Sequence, residues 1–152
     1  ANDLPASGLL FPFEVLNEEG QPTQVIRTIL GIDESSKSLI LAGEVQTSHY
    51  LRLMHASTDD LIDGAHRAIN GITHSNMNYH TDSLALVTSC VGRKLVMGDR
   101  VEEEIEEIDR QLTGPVCIAG FYSYGEISPL LNKGQCELHN QTLTIMLLRE
   151  AC

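Results

Sequence analysis

The stretch from Leu84 to Val91 is apolar at nearly every position. It therefore reads as a central strand covered on both faces, because a strand with one wet face alternates apolar and polar residues instead. A central strand demands neighbours, and the chain supplies them. Leu9 to Leu16 is apolar and extended, with Pro12 suggesting a sheet edge. Val25 to Ile32 and Leu39 to Val45 follow as strands around the polar turn Asp33 to Lys37, and Asn17-Glu-Glu-Gly20 is a turn. His49 to His55 alternates and is expected to be half-buried. Val116 to Tyr124 and Gln141 to Leu148 complete the set, with a loop from Ser128 to Gln135 between them.

Two helices are expected. The first opens at Ser57 or Thr58, whose hydroxyls can accept from unpaired backbone N–H groups, and Asp59 and Asp60 suit its positive end. Leu61, Ile62, Ala65, Ala68, Ile69 and Ile72 form its apolar stripe. The second spans Asp99 to Leu112, with Val101, Ile105, Ile108 and Leu112 facing the core. Its other side, Glu102, Glu103, Glu104, Glu106, Glu107 and Asp109, reads as a solvated face that keeps the domain soluble. Gly114-Pro115 stops it. The order predicts an α+β fold: a mixed, largely antiparallel sheet of about seven strands with two amphipathic helices packed on it. At 152 residues the chain suits a single domain, 1–152, that needs no metal or disulfide staple. It has no Trp and few aromatics, so the core falls to Leu, Ile and Val.

Ten basic residues stand against 21 acidic ones, for a formal net charge of −11. Such a surface repels phosphate backbones and anionic membranes, and the expectation is no nucleic-acid partner and no membrane insertion. No apolar run approaches the length of a membrane helix and no secretory leader stands at the start. The four cysteines, Cys90, Cys117, Cys136 and Cys152, contain no C-x-x-C pair, which points to a reducing, cytoplasmic setting. The glycosylation sequon at Asn140 is then idle. The chain opens at Ala1 and is expected to be a piece of a longer one.

Three segments carry groups capable of chemistry. Ser89-Cys90-Val91-Gly92-Arg93 lies at the end of the central strand, where ligands settle in α/β sheets, and Arg93 can fork onto a carboxylate. The residues alone favour a plainer reading, with Cys90 a buried small hydrophobe and Arg93 a surface charge. Gly120 to Ile127 offers Tyr122 and Tyr124 as ring walls and Glu126 as an acceptor for an ammonium group; its alternative is a strand with one aromatic core face and a glycine turn. Glu137 to Thr142 holds His139 and Asn140, which read equally as ligand contacts, or as a partly exposed histidine beside a turn-capping amide. Cys90, His139 and Asn140 supply the residue types of a cysteine nucleophile, base and orienting amide, but no nucleophile signature surrounds Cys90. Cys136-x-x-His139 lacks the second pair a structural zinc site needs. No cofactor and no self-sufficient catalytic signature are expected.

Together these segments resemble the C-terminal domain of the FIST sensory proteins. Gly120-Phe121-Tyr122-Ser123-Tyr124-Gly125-Glu126-Ile127 followed by His139-Asn140-Gln141-Thr142 carries most of the likeness. Phe11-Pro12-Phe13, an Arg-bearing strand at Arg27 and Leu51-Arg52-Leu53-Met54 before a helix add to it. The resemblance implies an intracellular signal-transduction module, found in bacteria, archaea and eukaryotes, that senses a small ligand such as an amino acid. It also implies an N-terminal FIST domain, absent here, and a signalling output domain as partners. Cys90, Arg93, Tyr122, Tyr124, Glu126, His139 and Asn140 would then form a ligand site, with Arg93 on a carboxylate and Glu126 on an amino group. A protein-interaction module without a ligand, and a cysteine-dependent enzyme using Cys90 and His139, are the rival classes.

Overall fold

Local sequence signals place most elements where the chain folds them. A computed structural model describes residues 4, 6–73, 82–129 and 136–149. The chain belongs to the α+β class and forms two compact units, Ala1–Ala56 with Ile127–Gln141, and Ser57–Glu126 with Thr142–Cys152. Among the described residues there are ten strands rather than about seven, because the stretch read as one strand from Val25 to Ile32 is two, and strands at Glu126–Pro129 and Cys136–His139 form where none was expected.

In the first unit, a short helix α1 (Ala6–Leu10) occupies the start of the stretch expected as strand. Strand β1 (Phe13–Leu16) pairs antiparallel with both β2 (Pro22–Arg27) and β5 (Tyr50–Leu53). The turn between β1 and β2 closes on Asn17, whose Oδ1 accepts from the Glu19 and Gln21 N–H groups at 3.1 and 2.8 Å. The β1–β2 register shifts beside Leu16, and Gln24 takes a positive φ of 66° there. An irregularity of this kind bends a strand and re-aims its side chains. The expected strand from Val25 to Ile32 is in fact two, β2 and β3 (Ile29–Asp33), and β3 makes a hairpin with β4 (Ser38–Leu41). Strand β5 is not half-buried as expected. It is the edge of its sheet, all four residues are exposed, and Arg52 reaches across to the Glu14 carboxylate. The expected loop from Ser128 begins inside strand β8 (Glu126–Pro129), its residues 130–135 lie outside the described residues, and β9 (Cys136–His139) pairs with β8 in a two-stranded sheet.

The β3–β4 turn hangs on one carboxylate. Asp33 accepts from the Ser35 N–H at 2.9 Å and from the Ser35 and Ser36 hydroxyls at 2.6 and 2.7 Å. These donors favour the charged form and hold its pKa at about 2, against an ordinary 3.8. A depressed carboxyl stabilises the fold above its ordinary pKa, and the contribution disappears as the pH falls through the folded value. The Asp33 carboxyl 13C shift is therefore expected to titrate near pH 2 and the turn to loosen only there; a midpoint near 3.8 would show that the hydroxyl network is not formed.

In the second unit the expected central strand is β6 (Ser83–Cys90), flanked by β10 (Leu143–Arg149) antiparallel and β7 (Val116–Ser123) parallel. Its cover is uneven: Ala85, Val87 and Ser89 are buried, while Leu84, Leu86 and Thr88 are only partly so. Helix α2 (Thr58–Thr73) starts at a reciprocal cap, in which Ser57 Oγ accepts from the Asp60 N–H and Asp60 Oδ2 accepts from the Ser57 N–H. The expected stripe supplies Ala65 and Ile69, which join Val87 and Ile108 in the core.

The crossover from β6 to β7 is where expectation departs from structure. A helix not foreseen, α3 (Val91–Met97), follows β6 directly, then a 3-10 turn over Gly98–Arg100 and helix α4 (Glu103–Gln111). The buried face of α4 is also rotated from the expected stripe. Glu104, Glu107 and Ile108 are buried, whereas Ile105 is 37 % exposed. The acidic run is thus not one solvated face.

Candidate functional site

Arg93 sits in the first turn of α3, not in an open loop, and is buried rather than a surface charge. Its Nε donates to Glu104 Oε1 at 2.6 Å and its Nη2 to the Leu61 carbonyl at 2.8 Å. Glu104 Oε2 accepts from Ser89 Oγ at 2.7 Å. One carboxylate, 1 % exposed, therefore binds β6, α3 and α4 together, and the α2 backbone joins through Arg93. The fork expected to hold a ligand's carboxylate already holds a protein one. This pairing also explains the rotation of α4: a buried guanidinium needs an ion partner, and Glu104 displaces Ile105 from the inward position.

Cys90 is buried, and its N–H donates to the Thr142 carbonyl at 3.0 Å. Glu126 is buried too, and its two oxygens accept from the Ser123 and Thr142 hydroxyls. Tyr124 is 90 % exposed, so it forms no wall. Tyr122 does line a recess. Burial raises its phenol pKa, helped by the Glu104 charge and opposed by Arg93, so it stays a neutral donor. Lys94 Nζ stands 4.7 Å from its ring centroid.

His139 and Asn140 belong to the other compact unit. Both are buried, so of the two readings of His139 the one as a partly exposed residue does not hold. Its Nε2 lies 3.2 Å from the Ser128 carbonyl, and Asn140 Nδ2 donates to the His139 carbonyl. Asn140 Oδ1 is a buried acceptor with no partner among the described residues. Cys90, Cys117 and Cys136 form no disulfide, and Cys152 lies outside the described residues. Among the described residues no group of three His, Cys, Asp or Glu could hold a metal, and no helix is long and apolar enough to cross a membrane. The seven expected site residues thus divide between the units, Cys90, Arg93, Tyr122, Tyr124 and Glu126 in one and His139 and Asn140 in the other.

The first unit holds a polar recess that sequence reading missed. Its volume is 360 Å3, and Thr23, Arg27, Glu44, Gln46, His49 and Glu137 line it beside Val15 and Val25. Arg27 is 7 % exposed. Its Nε donates to the Glu44 carbonyl at 3.0 Å, and its Nη1 to the Ile26 and Leu138 carbonyls at 3.1 and 2.9 Å. Among the described residues it has no ion pair, and Nη2 has no acceptor. Burial lowers its pKa, while the charge of Glu137 acts the other way. The group nonetheless remains a cation at any physiological pH. Gly43 permits the packing, since a Cβ there would stand 2.8 Å from the guanidinium Nε. A charged residue at an inward strand position between Val25 and Thr28 was the available sign.

With this geometry in view, comparison with known proteins decides the family. The family model described as the FIST C domain matches residues 1–129. The chain belongs to the FIST C domain family. This family is one of sensory domains in signal transduction, in keeping with the resemblance carried by the Gly120–Ile127 segment. The family match covers β1 through β8 and stops short of β9 and β10. Searches of the curated proteins and of the solved structures returned no match.

Proposed function

We propose that this FIST C domain is a non-enzymatic, cytoplasmic sensory module whose input is a small zwitterion such as an amino acid, taken in the Arg27 recess. The observation that carries the reading is a buried guanidinium that, among the described residues, has a donor edge without an acceptor and no ion pair. A desolvated cation without an ion partner is costly, and a carboxylate ligand would relieve that cost through charge-assisted hydrogen bonds. Glu44 and Glu137 on the same recess can accept an ammonium group, and Gln46 and His49 add polar contacts. The recess therefore presents both signs of charge that an amino acid carries. Arg93 and Glu126, first expected in these two roles, have protein partners instead. Ligand binding would favour one arrangement of the surrounding strands, and an N-terminal FIST domain or an output domain would read that bias.

Calorimetry against an amino-acid panel tests this. Heat is expected for at least one amino acid, with affinity at least ten-fold weaker in Arg27→Lys, which keeps the charge but not the fork. Glu137→Gln should weaken binding of that amino acid but not of the matching acid lacking its amino group. No heat from any amino acid, or equal affinity in Arg27→Lys, would sink the proposal. A protein-interaction module without a ligand would then be the reading left. Selective labelling of Cys90 by iodoacetamide at neutral pH would instead favour the cysteine-enzyme alternative.

A further inference from the structure

Strand β7 is the edge of its three-stranded sheet among the described residues, so one row of its backbone donors and acceptors has no strand partner there. An exposed edge of this kind is a template for an added strand. Beside it lies a recess of 260 Å3 walled by Val87, Ile105, Ile118, Phe121 and Tyr122, with the Ser89 hydroxyl, already donated to Glu104, as a polar spot. A second recess of 460 Å3 shares Ile105, Ile118 and Tyr122 with the first. Glu102, just before α4, and Glu106 and Asp109 of α4 line it on the solvent side. The two make one groove with an apolar floor and an acidic lip. Rotation of α4 toward Arg93 produces both features, since it turns Ile105 outward and leaves these three carboxylates in water.

We infer that this groove docks an extended basic segment of another protein, paired with the β7 edge, with one apolar side chain in the smaller recess. Charge complementarity selects that occupant. Lys or Arg side chains meet Glu102, Glu106 and Asp109. A second copy fits poorly, because the chain carries only ten Lys and Arg and they are scattered through it. This surface lies in the second unit and stands independently of the Arg27 recess.

The test uses a fluorescein-labelled ten-residue peptide alternating Lys with Val or Leu around one central Phe, and a Glu-for-Lys version of it. Anisotropy is expected to show binding of the Lys peptide only, weakening as salt is raised. Glu106→Lys with Asp109→Lys, both at exposed positions, should weaken it at least ten-fold with the circular dichroism spectrum unchanged. Glu18→Lys with Glu34→Lys changes net charge equally, at exposed positions of the first unit, and should leave the affinity within two-fold. Absence of binding, equal loss in both double variants, or a dimer by sedimentation that the groove variant dissolves would each overturn the inference.

Discussion

Replacing Glu104 with Leu is expected to destabilise the second unit by about 3–5 kcal/mol, enough to unfold many domains of this size. The carboxylate is 1 % exposed and receives hydrogen bonds from Ser89 and Arg93. Its removal leaves the Arg93 guanidinium buried with only the Leu61 carbonyl, and desolvation of an uncompensated cation is the dominant cost. Adding Arg93→Met should restore most of the loss, because a buried pair replaced by apolar groups of similar volume is close to neutral. Urea unfolding of the single and double variants checks this. If Glu104→Leu costs under about 1 kcal/mol, the pair is not buried in solution. The comparison matters for function as well, since it separates a structural ion pair from the ligand-binding arginine first expected at position 93.

Gly120→Ala should be nearly as damaging for a different reason. Gly120 pairs with Val87 in the parallel β6–β7 register, and a Cβ on it would stand 2.0 Å from the Val87 carbonyl oxygen. That neighbour is backbone in the central strand and cannot swing aside, so β7 must shift away. Overpacking of this kind costs about 1–3 kcal/mol, or more where backbone has to move. Thermal unfolding should show the loss directly. A variant within about 0.5 kcal/mol of the parent would mean that β7 is not held against Val87, because ordinary surface changes cost no more than that. Gly120 thus serves close strand packing, whereas the sequence alone made it one bracket of a ligand segment.

Much of the architecture was legible in the residues. The apolar run Leu84–Val91 marked the central strand, and the stripe including Ala65 and Ile69 marked the inward face of α2. The α+β class and the family likeness followed from the same reading. Helix α3 was not legible, because Ser89 to Arg93 contains Val91 and Gly92, both poor helix formers, and looks like a strand running into a loop. The α4 face was misread because hydrophobic spacing assumes that only apolar residues turn inward. Strand β5 alternates convincingly, yet at a sheet edge nothing makes use of the alternation.

The sequence by itself determined where the central strand, most of its neighbours and the two amphipathic helices run, since periodicity is a local property that each segment carries alone. Only the tertiary structure decided which charges are buried and with whom. Arg93 found Glu104 eleven residues on, while Arg27 found the Leu138 carbonyl 111 residues away and, among the described residues, no carboxylate within ion-pair distance. Burial strips water from both guanidiniums, so each must take its partners from whatever the fold brings near. No spacing rule in the chain distinguishes the arginine that is satisfied from the one that still has a donor edge to offer.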